Sequence, residues 1–193
     1  YIQITRGVAN RVPYFPKDLQ PTICATVSAH KKVLDEEFAR GFSYMTHEDI
    51  RWKRCDIKSV ALFASSMINQ KSKDLGFDDA ILVRDGFVSE GSFANIFIVD
   101  QSGTLITHPA DNHVLQGITR NRMIKIAQEK NIKVEERKFS VDELYKASEA
   151  FLTSSSLILR PVREVDGKVI NDGKNRKIAR ILSDAYFEFI ANS

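Results

Sequence analysis

Two cysteines in 193 residues are too few and too far apart to organise a fold. Cys24 and Cys55 form no C-x-x-C motif and no Cys/His ligand spacing, so neither a disulfide framework nor a zinc site is indicated and no metal is expected. They read as reduced cytosolic thiols. No apolar run reaches the roughly 20 residues that span a bilayer, and no charged-then-apolar leader opens the chain. Internal repeats and low-complexity tracts are also missing. Charge of one sign is nowhere blocked: 28 basic and 25 acidic residues are interspersed for a formal net charge of +3. With no basic-aromatic pattern beside them, these charges argue against nucleic acid as a partner. The expectation is a soluble, unexported, cytoplasmic protein of one ample domain, or one and a fraction. The chain also lacks an initiator methionine and an opening turn. "YIQITRG" has the two-residue period of a strand already under way, so a preceding amino-terminal part is expected.

Tyr1 to Arg6 and "TICATVSAH" from Thr22 read as two strands joined by an irregular loop containing Pro13, Phe15 and Pro16. They look like the end of a small domain, residues 1–32. The charged stretch Lys31 to Arg40 reads as the connection to a larger unit, residues 33–193. There, Val60, Leu62, Phe63, Met67 and Ile68 give Ser59 to Asp74 a helical spacing. Ala80 to Arg84, a turn at Asp85-Gly86, a strand ending at Glu90, and Asn95 to Val99 follow as strands. After the Ser102-Gly103 turn and "TLITH", the pattern from Gly117 to Lys130 is helical. "IKVEERKF" alternates like a strand, and Ser140 with Glu143 forms a capping box for a short helix. "EAFLTSSS" reads as a strand, "REVDGKVI" as a hairpin through Asp166-Gly167, and Lys174 to Ala191 as an amphipathic closing helix. Interleaved helices, strands and hairpins predict an α+β (mixed α/β) fold.

Four short stretches carry residues suited to chemistry. Lys58 precedes "SVALFASS", and a lysine held in such apolar, small-residue surroundings has its ammonium destabilised and its amine freed to form a Schiff base. Glu90, before Gly91 and Ser92 in "VSEGSFAN", puts a carboxylate at a strand end where backbone can approach a ligand closely. "LQGITR" places Gly117 at a helix start, whose free N–H groups and dipole favour a phosphate, unless Thr119 merely caps an ordinary helix. "TSSS", Thr153 to Ser156, adds hydroxyl donors at another strand end. A Schiff-base lysine, a carboxylate for a pyridinium nitrogen and donors for a phosphate are together the fittings for pyridoxal 5'-phosphate.

The motifs "RWKRCDIKS", "AILVRDGFVSEGSFANIF", "THPADNHVLQGITR", "VEERKF", "FLTSSS" and "EVDGKVINDGK", in this order, resemble fold type IV (class IV) pyridoxal-phosphate enzymes, with "CDIKS" pointing to the D-amino acid aminotransferases. The resemblance covers the whole chain. It implies Lys58 as the Schiff-base lysine and proton shuttle, and Glu90 as the carboxylate facing the pyridine nitrogen. It further implies Ile118 and Thr119 amides, the Thr119 hydroxyl and Ser155 around the phosphate, with serine standing where threonine is more usual. Arg11 in "TRGVANRVPYFP" matches an arginine that holds the substrate α-carboxylate across a homodimer, an alternative being a plain loop arginine.

Two departures touch the substrate rather than the cofactor. Pro13 stands where the family's Arg-x-His has histidine, and Phe93 and Ala94 stand where small hydroxyl residues are common. The implied reaction is a ping-pong transamination between a D-amino acid and a 2-oxo acid. Aminodeoxychorismate lyase, a branched-chain or amine aminotransferase, and an inactive truncated binding domain are the alternatives.

Overall fold

The computed structural model describes residues 1–29 and 33–192. The chain divides into two compact units, Tyr1–Lys32 and Val33–Ser193. In the first, β1 (Ile2–Thr5) and β2 (Thr22–Ala25) pair antiparallel, from Ile2 opposite Ala25 to Thr5 opposite Thr22. Gly7 closes the loop start at φ +112°, where a side chain would collide with the Gln20 carbonyl. Arg11 and Pro13 lie exposed in that loop. His30 of the second expected strand, and Lys31 and Lys32 of the expected connection, lie outside the described residues.

The rest of that connection is not irregular. Asp35–Arg40 is a helix, α1, with Asp35, Glu36 and Glu37 in its first turn, where acids favour the helix dipole. It leads into β3 (Phe42–Glu48), which the sequence reading did not anticipate. Phe42 to Met45 are all buried, so the strand has no polar alternation to betray it.

β3 is central to a nine-stranded sheet ordered β5-β4-β3-β10-β9-β6-β7-β8, formed with β4 (Asp79–Arg84), β5 (Phe87–Gly91), β6 (Asn95–Val99), β7 (Leu105–Thr107), β8 (Val134–Glu136), β9 (Glu149–Ser154) and β10 (Ile158–Val165). The short β11 (Lys168–Val169) adds to β10. The first half of β10 pairs antiparallel with β9 and the second half parallel with β3, so this one strand joins the two halves of the sheet. Parallel and antiparallel neighbours alternate with helices, and the fold class is the mixed α/β one expected.

Both faces of the sheet are buried. Ile96, Ile98, Ala150 and Leu152 pack with Tyr44, Ile81, Phe139 and Val165 on one side. Phe97, Val99 and Phe151 face the helices α3 (Ile118–Glu129) and α5 (Lys177–Ala191) on the other, through Met123, Ile126, Ala127, Ala179 and Leu182. This strict two-residue alternation fixes register, since a one-residue slip would exchange the two cores. α2 (Phe63–Asp74) covers β3 and β4 through Ile68, Met45, Ala80 and Leu82. The capping box at Ser140 and Glu143 forms, and starts α4 (Val141–Tyr145). The start of α5 is held differently: the buried Glu149 accepts hydrogen bonds from Ile178 N–H (2.9 Å) and Ala179 N–H (3.0 Å). Among the described residues, no helix is long and apolar enough to cross a membrane.

Candidate active site

The centre of the site is made by a tight connection between β5 and β6. Gly91 N–H donates to the Ala94 carbonyl at 2.6 Å, and Ser92 N–H reaches the Ala80 carbonyl at 3.2 Å. Glycine at 91 leaves room for Leu152, since a Cβ there would stand 2.5 Å from a Leu152 methyl and displace it. The turn leaves Glu90, the last side chain before it, 4% exposed.

Every oxygen of Glu90 is engaged. Oε2 accepts from Asn95 Nδ2 (3.0 Å) and from the Leu115 amide (3.1 Å), while Oε1 takes an Arg51 guanidinium N–H. Asn95 Nδ2 also donates to the Leu115 carbonyl at 2.7 Å, so Asn95 and Glu90 together clamp that residue's backbone. Arg51 turns its other edge to Asp49, with Nε and Nη2 each 2.8 Å from a carboxylate oxygen. Arg84 (3.1 Å) and the Ser89 hydroxyl (3.0 Å) complete the shell of Asp49.

The two acids differ in their electrostatics because they differ in partners. Burial pushes the Asp49 carboxyl up, but hydrogen bonds from Arg51 and the charges of Arg51 and Arg84 outweigh it and hold the group below its ordinary range. Glu90 is more deeply buried and shares a single arginine. Burial wins there, and its carboxyl is pushed up to about 7. A carboxyl so poised accepts or gives up a proton near neutrality, according to what faces it.

The loop from β7 to α3 supplies the other wall. Arg120, in the first turn of α3 and 1% exposed, ties it down by donating to the His108 carbonyl and to Glu136, both at 2.7 Å. Gly117 is the N-cap, with extended backbone and no side-chain cap on the helix start. A Cβ at Gly117 would stand 2.2 Å from Asn95 Oδ1, so glycine is what lets the helix start approach the Glu90 clamp. Thr119 is therefore not the cap. Its side chain is buried, whereas Ile118 is exposed. Across the sheet, Asn95 pairs with Thr153 in β9, whose hydroxyl is buried without a hydrogen-bond partner among the described residues. Asn95 thus has the uncapped helix start on one side and an unsatisfied hydroxyl on the other. Ser155, the expected phosphate ligand, lies exposed in the turn that follows, where Ser154 Oγ accepts from Leu157 N–H at 3.1 Å.

Lys58 departs most from expectation. It is exposed, on a loop, and the helix predicted to begin at Ser59 begins at Phe63. The cause is local: Ser59 Oγ accepts the Ala61 N–H at 3.3 Å, one of the serine turns that compete with a helix start. Val60, Leu62 and Phe63 stay 76%, 47% and 78% exposed, so these three do not form an apolar cover over the lysine. Its loop is nonetheless fastened to the wall that carries Leu115. Cys55 N–H donates to the Asn112 carbonyl, and Asn112 Nδ2 to the Lys53 carbonyl, both at 2.9 Å. Phe93, a position expected to shape the pocket, is half exposed, and its neighbour Ala94 is buried.

Sequence reasoning selected Glu90, the helix start and the hydroxyls from Thr153 to Ser156, but missed Arg51, Asp49 and Asn95. It also passed over His108, Asp111 and His113, whose ligand atoms converge in the β7–α3 loop. Arg51 and Asp49 look like ordinary surface charges until β3 and β5 are paired through β4.

Comparison with known proteins gives the family and its relatives. The sequence profile described as amino-transferase class IV matches residues 1–165. The D-alanine aminotransferase of Bacillus licheniformis is 38% identical over 173 residues, 90% of this chain and 60% of that protein. The D-alanine aminotransferase of Staphylococcus aureus (strain N315) is 39% identical over 191 residues, 98% of this chain and 67% of that protein. In three dimensions the branched-chain amino acid aminotransferase of Escherichia coli superposes with a TM-score of 0.83 at 26% identity, over 97% of this chain and 64% of that one. The chain therefore spans about three fifths to two thirds of the length of these relatives.

Proposed function

Since the chain belongs to the class IV amino-transferase family, we propose that the whole protein moves an amino group between a D-amino acid and a 2-oxo acid, with pyridoxal 5'-phosphate as cofactor. The observation that carries this reading is Glu90, a buried carboxyl poised near neutrality and clamped by Asn95, Arg51 and the Leu115 amide beside an uncapped helix start. The residues present fit the cofactor. Glu90 suits a ring nitrogen that must stay protonated, the α3 start and the unsatisfied Thr153 hydroxyl suit a phosphate, and Lys58 suits an aldehyde.

The cofactor, when bound, supplies a sink for the electron pair left on the substrate carbon after its proton departs. The chain's own residues do the rest. Lys58 would hold the cofactor's aldehyde and, as a free amine, would take the substrate Cα proton as general base and give it back as acid. Glu90 keeps negative charge against the ring nitrogen, while Arg51 and Asn95 hold its two oxygens in place. Amides of Ile118 and Thr119, the Thr119 hydroxyl and Ser155 hold the phosphate. Arg11 forks the substrate α-carboxylate across a homodimer in the cytoplasm.

Identity at 38–39% to D-alanine aminotransferases favours the D-amino acid reading over the branched-chain and lyase readings. The test is a half-reaction with D-alanine, followed by addition of 2-oxoglutarate. Turnover that stops without the oxo acid supports transamination. Pyruvate released continuously without an acceptor, or no turnover of any D-amino acid, refutes it.

A further inference from the structure

The loop from His108 to Gly117 also brings together three side chains that the proposed transamination leaves unused. His108, Asp111 and His113 offer two imidazoles and a carboxylate, with one ligand atom from each, and these atoms all lie within 4.8 Å of one another. His108 is buried, and the other two are half-buried on the loop surface.

We propose that His108, Asp111 and His113 form a binding site for a divalent transition-metal ion of the Zn²⁺ class. The donor set selects the class. Imidazole nitrogen with one carboxylate suits zinc and its first-row neighbours, whereas magnesium and calcium call for all-oxygen shells.

The spacing is close to what such an ion requires. Ligand atoms about 2.0–2.1 Å from a tetrahedral zinc stand roughly 3.3 Å from one another. The Asp111 carboxylate is 3.2 Å from His113 Nδ1 and 3.8 Å from His108 Nδ1. Small rotations of the half-buried Asp111 and His113 close the set, and a fourth position is left to water.

One existing contact must give way: His108 Nδ1 lies 2.9 Å from the Pro109 carbonyl, a hydrogen bond that an ion bound at this nitrogen replaces. Asp111 Oδ1 accepts the His113 N–H at 2.8 Å, which holds the carboxylate over its own loop. An ion here ties His108, next after β7, to His113, two residues before the Leu115 amide that holds Glu90. It thus braces the wall of the cofactor site without entering the chemistry.

The test begins with the purified full-length protein stripped by a chelator and titrated calorimetrically with Zn²⁺. A parallel titration with Co²⁺ follows the visible bands that report a tetrahedral nitrogen and oxygen shell. The expected result is saturation at one ion per chain, with affinity lowered about tenfold or more in both Asp111→Asn and His113→Gln. Both variants are to keep the wild-type circular dichroism, since neither side chain is in the core. Absence of saturable uptake overturns the proposal. So does uptake that both variants retain in full, which would put the ion elsewhere.

Discussion

Replacing Glu90 with glutamine removes one ionisation while keeping the shape of the side chain. Its carboxyl sits at about 7 in the fold against an ordinary 4.5, because burial outweighs Arg51. A displacement of that size costs about 3 kcal/mol whenever the group must be charged in the folded chain. The sign follows from where the proton is held. Below pH 4.5 the carboxyl is protonated in folded and unfolded chains alike, and the fold keeps its full advantage. As pH rises from 4.5 to about 7, the unfolded chain releases the proton first and stability falls; above 7 the loss is complete. Glu90→Gln has no such slope. Urea unfolding of cofactor-free wild type and variant, at about pH 5 and about pH 8, should therefore show the variant gaining about 2.5 kcal/mol on wild type between the two. The lowered carboxyl of Asp49 is common to both proteins and cancels. Saturating cofactor should shrink the gap, since a protonated ring nitrogen gives the anion a partner. A difference that does not change with pH would refute the electrostatic reading of Glu90.

Three further outcomes follow from the same geometry. Glu149→Ala takes two charge-assisted hydrogen bonds from the start of α5 and leaves two amides without acceptors, a loss of about 3 kcal/mol measurable as a lower urea midpoint at unchanged slope. A near-neutral result would mean that water replaces the carboxylate. Gly117→Ala drives a methyl into Asn95 Oδ1, breaking the two Asn95 bonds to Glu90 and Leu115. About 2 kcal/mol lost there should appear as a roughly 30-fold weaker cofactor affinity by fluorescence titration. Lys58→Ala should slow the half-reaction by about 10³-fold or more in rapid mixing, and a rate near wild type would assign the proton transfer to another group.

The elements that were legible in the sequence are those whose signals are local. The Asp85-Gly86 and Asp166-Gly167 turns need two residues at positive φ, here 51° and 80°, and 51° and 73°, and that pair of residue types advertises it. Ser140 and Glu143 spell their own cap. β3 was hidden because its first four residues are buried on both faces, and α1 because four of its six residues are charged and look like a linker. Glu90 was found from the glycine beside it. The partners that set its charge were not, since Arg51 is 39 residues away and Leu115 is 25, and only the sheet brings them together. Lys58 was chosen on its motif. Its expected apolar surroundings, however, were inferred from neighbours in sequence that the fold leaves exposed.

The central claim is that Lys58 carries pyridoxal phosphate. Reducing the full-length protein with borohydride in the presence of the cofactor, then mapping its peptides by mass, tests this directly. The account predicts a pyridoxyl adduct on Lys58, formed in one copy per chain and lost in Lys58→Ala. An adduct on a different lysine, or none at all, would contradict it.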